Sequence, residues 1–146
     1  MSNHQNHHSY HKLSFYTTIH CLMGCGLGEI VGVIIGIALG LSIWPSITIG
    51  VILGFVFGFY LGIIPLVKVG KTPFEAFKII FLAEFISIAV METGEVLAEV
   101  FIPGVMSASL SQPIFWFGML GALITGFLFA YPVNYIMVKR NIKHCH

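Results

Sequence analysis

Four apolar runs, at 15–43, 47–67, 73–102 and 112–138, take up most of this 146-residue chain. Each is as long as, or longer than, the ~20 residues a helix needs to cross a bilayer. Turn signals separate them: Trp44-Pro45-Ser46, the stretch 68–72 and the stretch 103–111. A composition of 57% apolar and 9% charged residues leaves no polar coat for a water-soluble domain of this size. The expected fold is therefore all-α, a single four-transmembrane-helix bundle in contact with the lipid bilayer. It is flanked by a His-rich tail over 1–14 and a basic tail over 139–146. The start, SNHQNHHSYH, lacks the basic cluster and short apolar core of a secretory signal, so the first span is expected to be retained.

Charge orients the bundle. Lys12, Lys68, Lys71, Lys78, Lys139, Arg140 and Lys143 all fall in the two tails or around the second connection, and the other two connections carry no charge. By the positive-inside rule the chain is a multi-pass protein of the cytoplasmic membrane with both termini in the cytoplasm. Trp44 and Trp116 mark the outer interface. Nucleic acid is not an expected partner.

Glycines recur every four residues in the first run (24, 28, 32, 36, 40) and in the second (50, 54, 58, 62). Smooth stripes let backbones approach where large side chains gain nothing over lipid, so helices one and two are expected to pack as a tight antiparallel hairpin. The other use of a stripe is contact with a neighbouring subunit. A bundle of four helices encloses little volume, which makes a homodimer plausible.

The acidic residues carry the functional signal. The chain has no Asp and six Glu, of which Glu29, Glu84, Glu92 and Glu95 lie inside apolar runs. An ionised side chain there costs about 2.5–3.5 kcal/mol on insertion scales. Glu75 is expected in water beside Lys78, and Glu99 near the outer end, within reach of water. At 100° per residue, Glu84, Ser87, Met91, Glu92, Glu95 and Glu99 share a band of about 140° on the third helix, which must face the bundle interior. No Lys or Arg is placed to neutralise them. They are protonated, share protons, hydrogen-bond within the bundle, or hold a cation that is not part of the chain.

Cys21, Cys25 and Glu29 stack at i, i+4 and i+8 along one flank of the first helix, with His20 a quarter-turn away. Taken singly, each cysteine reads first as a small apolar packer and His20 as an interfacial residue. Together with Glu84, expected at the depth of Glu29, they suggest a cluster in the cytoplasmic third, joined from helix four by Tyr131, Asn134 and the Leu128 carbonyl that Pro132 releases. Thiol and imidazole suit zinc or copper, and carboxylates extend the choice to iron. Met23 and Met91 offer thioethers, although both read first as core filler. His4, His7, His8 and His11 before the first span, and His144, Cys145 and His146 at the end, are candidates for metal capture, against the plainer reading of polar tails.

Three segments, YHKLSFYTTIHCLMGCGLGEIVG, FISIAVMETGEV and FAYPVNYIMVKR, resemble a family of small bacterial and archaeal membrane proteins catalogued only as a domain of unknown function. The resemblance implies an integral membrane bundle with no established activity. It falls on His20, Cys21, Cys25, Glu29, Glu92 and Asn134. Where the family pattern leads one to expect Asp and Asp-Asn, this chain has Glu84 and Glu95-Val96.

The leading expectation is a membrane protein that binds or translocates a transition-metal cation, copper, zinc or iron, received by His20, Cys21, Cys25, Glu29 and Glu84 and passed to Glu92 and Glu95, with Met91 in reach. The alternatives are a non-catalytic accessory subunit of a larger membrane complex and a proton-coupled exporter of small cations. With no nucleophile–base–orienter set and no nucleotide loop, an enzyme ranks last.

Overall fold

The computed structural model describes residues 3–140, with side chains from Ser9 onward. Among these residues there are four helices: α1 (Asn3–Ala38), α2 (Ile43–Lys68), α3 (Pro73–Phe101) and α4 (Pro113–Lys139). Part of α1 (Ser9–Ala38), α2 and α4 are long and apolar enough to cross a membrane. α3 is as long but carries five glutamates, three of them buried. Its outward residues, among them Ile79, Leu82, Phe85, Leu97 and Phe101, are apolar and exposed.

The ends of α1 and α2 follow one local design. Gly40 and Gly70 adopt left-handed backbone conformations (φ 63° and 92°) two residues past the last residue of each helix. At the first, Leu41 N–H donates to the Gly36 carbonyl (2.9 Å) and Gly40 N–H to Ile37 (3.1 Å); at the second, Lys71 donates to Leu66 (3.1 Å) and Gly70 to Val67 (3.0 Å). These are Schellman terminations, which satisfy the last carbonyls and need a residue tolerant of positive φ. Two residues on, Ser42 and Thr72 serve as N-caps of the next helix.

This geometry corrects three boundaries. The first helix stops at Ala38 rather than 43, because Gly40 ends it and is not part of the packing stripe. Trp44, Pro45 and Ser46 do not separate helices but form the first turn of α2, where the missing N–H of Pro45 costs nothing because N-terminal donors have no helical partner. At the other end, α1 reaches back to Asn3, so the expected polar tail over 1–14 is largely helical.

Gly24, Gly28 and Gly32 form a seam with Gly58, Gly54 and Gly50. A Cβ on Gly24 would meet the Gly58 Cα at 2.7 Å, and on Gly28 or Gly32 it would overlap the backbone of Gly54 or Gly50. The expected antiparallel hairpin is thus present, and both stripes are used within one chain. α2 meets α3 through aromatic rings, with Phe59 stacked on Phe81 (5.7 Å) and tilted against Phe77 (5.2 Å), and Phe55 tilted against Phe85 (5.4 Å). α3 meets α4 where Gly94 lies against Gly126. Every described Lys and Arg lies at the end of the bundle that holds the α2–α3 turn, here called the basic end; the α1–α2 turn and the 102–112 connection form the far end.

Candidate metal centre

The buried polar residues on the inner face of α3 divide into two layers. Nearer the basic end, Cys21 Sγ donates to Glu84 Oε2 (3.2 Å) and lies 3.4 Å from Ser87 Oγ. Ser87 Oγ donates to Asn134 Oδ1 (2.8 Å), and Asn134 Nδ2 donates to Thr18 Oγ1 (3.0 Å). The Thr18 hydroxyl then donates to the Ser14 carbonyl (2.7 Å), back into the α1 ladder. A continuous run of donors and acceptors ties α1, α3 and α4 together. Buried polar groups joined in this way specify how helices meet and leave little free valence for a ligand.

One to two turns further along, the second layer is organised differently. The Cys25 thiol and one carboxylate oxygen each of Glu92 and Glu95 lie within 4.8 Å of one another, and all three residues are buried. Neither oxygen of Glu92, neither oxygen of Glu95, nor Oε2 of Glu29 has a hydrogen-bond partner. Two glycines make the room: a Cβ on Gly54 would strike Glu92 Oε1, and one on Gly126 would meet Glu95 Cγ at 2.5 Å and Oε1 at 2.8 Å. Glu29 stands against Glu95, and Glu99 is close enough to share the same field. An acceptor buried without a partner costs about 1–3 kcal/mol, more if charged. Several of them grouped in one buried layer form a donor set that could hold a cation.

The expected single cluster is therefore resolved into two. Cys21 and Glu84 belong to the hydrogen-bonded layer with Ser87 and Asn134, while Cys25 and Glu29 belong with Glu92 and Glu95. Glu84 is not level with Glu29. α1 and α3 run parallel in a register that sets Cys21 beside Glu84, eight residues before Glu29. His20 lies outside both sets, half-buried, with Nε2 lacking a partner. Met91 is fully buried in a core cluster with Cys21, Cys25, Ile88 and Ala130, and Met23 faces outward. Tyr131 is drawn away from the cluster: its hydroxyl bonds His11 Nδ1 (2.8 Å), and His11 also stacks on Tyr135 at 4.5 Å. Of the histidines and cysteine considered for tail capture, His11 thus docks on α4. The side chains of His4, His7 and His8, and residues His144, Cys145 and His146, lie outside the described residues.

Three participants were not singled out from sequence. Thr18 closes the first layer, and Gly54 and Gly126 shape the second. Thr18 sits three residues from Cys21 on the same flank, a spacing that marks it in retrospect; the glycines give no such signal, because their partners are on other helices.

A cavity of about 330 Å³ opens at the far end, between the α1–α2 turn and residues 105–108. Glu29 lies at its inner limit and Glu99 about one turn nearer the mouth. Glu99 was expected within reach of water at this end; it is half-buried and lines this space. Glu75 is indeed exposed, but its partner is Thr72 in a capping box (Glu75 N–H to Thr72 Oγ1, 3.3 Å; Thr72 N–H to Glu75 Oε2, 3.1 Å). The donors of Thr72 hold the Glu75 carboxyl below the ordinary glutamate value. Lys78, expected beside it, lies over the Phe74 ring at 4.5 Å.

The model of one family, Domain of unknown function (DUF4396), matches residues 11–143, and the chain belongs to that family. No curated protein and no solved structure matches it.

Proposed function

For this member of the DUF4396 family, we propose a membrane protein that binds a divalent transition-metal ion inside the bilayer, zinc in the first place, between Cys25, Glu92 and Glu95. One observation carries the reading: three ligand atoms of the right chemistry lie within 4.8 Å, and none of the four carboxylate oxygens of Glu92 and Glu95, two of them in that set, has a hydrogen-bond partner. Ligand atoms of a tetrahedral zinc site stand about 3.3–3.8 Å apart, so small side-chain movements close the set around an ion. A thiolate with two carboxylates suits zinc or iron better than the hard cations magnesium and calcium. Glu29, against Glu95, is the nearest further carboxylate.

The clustering of basic residues at one end supports a cytoplasmic setting for that end, with α3 crossing alongside its neighbours and its acids turned away from lipid. The His-rich side is then cut off from the metal centre by the hydrogen-bonded layer. The accessory-subunit reading loses its main surface, because the glycine stripes pack within the chain, three pairs of glycines against each other and Gly36 and Gly62 against Ser46 and α3.

The test is elemental analysis of full-length protein purified without a metal column after growth with added zinc. About one zinc per chain is expected in the parent, strongly reduced in Cys25→Ser and Glu92→Gln and retained in Cys21→Ser. A parent free of metal, or equal loss in Cys21→Ser, overturns the assignment.

A further inference from the structure

The far-end cavity has a chemistry of its own. Its walls are mostly apolar, with Val33, Ile37, Ile43, Val105 and Phe115 alongside Ser46 and Ser107, and among the described residues its only charged lining residues are Glu29 and Glu99. No described Lys or Arg lines it. Glu29 is 95% buried, being 5% exposed, and Oε2 has no hydrogen-bond partner although the residue borders the cavity. Two carboxylate residues lining an otherwise mostly apolar space are a poor fit for lipid, whose tails offer nothing to them. A hydrated metal ion is equally poorly matched to apolar walls. The size is at the lower end of small-molecule pockets.

We infer that this cavity is a binding site for a small organic cation with an apolar body, its ammonium group held between Glu29 and Glu99 and its hydrocarbon or aromatic part against Ile37, Val105 and Phe115. The two carboxylates supply charge complementarity from one side only, so the cation enters head first toward Glu29 and leaves its apolar part near the mouth. A quaternary ammonium, weakly hydrated and unable to lose its charge, meets this description with the least desolvation. The site stands on the cavity and its two carboxylates and does not require a metal between Cys25, Glu92 and Glu95.

The experiment uses full-length protein in lipid nanodiscs, treated with chelator, and measures binding of benzyltriethylammonium by calorimetry. Saturable binding of one cation per chain is expected. Glu99→Gln, at the mouth, and Glu29→Gln, at the inner limit, should each weaken it at least tenfold, and Ile37→Trp, which fills the space, should abolish it. Glu92→Gln should leave it within about twofold of the parent even though that variant loses zinc, which separates failure of this inference from failure of the metal assignment. Uncharged n-butylbenzene should not compete. The inference is overturned if binding is absent or unsaturable in the parent, if both Glu99→Gln and Glu29→Gln bind as the parent does, or if n-butylbenzene displaces the cation and so marks the space as one for lipid or detergent tails.

Discussion

Cys21 and Cys25 are one helical turn apart on the same flank of α1, both buried, and both face carboxylates on α3, yet they sit in opposite environments. Around Cys21, each polar group of the layer has a donor or acceptor in Glu84, Ser87, Asn134 or Thr18. Around Cys25, five carboxylate oxygens have none. The difference lies in what α4 brings. At the level of Cys21 it contributes Asn134, whose amide both accepts and donates and so links α3 to α1. At the level of Cys25 it contributes Gly126, which offers space and no hydrogen bond. The same helix face is hydrogen-bonded where α4 brings an amide and left with unpartnered acceptors where it brings a glycine.

The most direct way to break this contrast is Asn134→Ala. It leaves the Ser87 hydroxyl and the Thr18 oxygen without their partner in a buried layer, and the bundle should lose about 2–4 kcal/mol, read from denaturation in mixed micelles. Zinc content should be unchanged. If Asn134→Ala were neutral for stability, the first layer would not be the fastening it is described as. The second layer should respond in the opposite sense. Zinc at a hundredfold excess over its Kd should stabilise the parent by about 2.7 kcal/mol, and Cys25→Ser by much less. Without zinc, Glu92→Gln should be no less stable than the parent, because it exchanges an unpartnered carboxylate for a neutral amide.

Much of this is legible in the sequence, and what is not shares one cause. Hydropathy gave four helices, and glycine spacing gave the α1–α2 hairpin, because both are properties of a single segment or of two adjacent in sequence. The acidic face of α3 followed from one helical projection. That projection cannot say which residues of another helix lie opposite, and so Cys21, Cys25, Glu29 and Glu84 read as one cluster when the α1–α3 register divides them. The same limit hid Gly54 and Gly126, whose role depends on carboxylates from α3. Gly40 misled for a different reason: it extends the stripe's period by one step, and only its positive φ shows that it ends the helix.

Gly126→Ala sharpens the comparison without touching a ligand. The added methyl would meet Glu95 Cγ at 2.5 Å, so the carboxylate must move or α4 must back away. Overpacking of this kind costs about 1–2 kcal/mol. Zinc affinity should fall about tenfold or more while the hydrogen-bonded layer persists, seen as retained protection of the α1 amides in hydrogen exchange. Unchanged affinity would mean that the Glu95 carboxylate does not contribute to the centre.

The smallest effect concerns the carboxylate at the opposite end of the same helix. Glu75 is exposed, and the donors of Thr72 lower its pKa from the ordinary value. A group whose pKa is lowered by folding stabilises the fold above its unfolded value, and that contribution fades as pH falls through the lowered, folded value. Thr72→Ala removes the hydroxyl that Glu75 N–H bonds and one of the donors to its carboxylate. The Glu75 resonance in a carboxyl-detected NMR titration should then move back toward the ordinary value, and the acid side of the stability profile should flatten slightly. The two layers inside the bundle should not register the change. If Thr72→Ala altered zinc content, the cap and the metal centre would be coupled along α3, and the separation between a wet, fully partnered glutamate and the dry, unpartnered ones would fail.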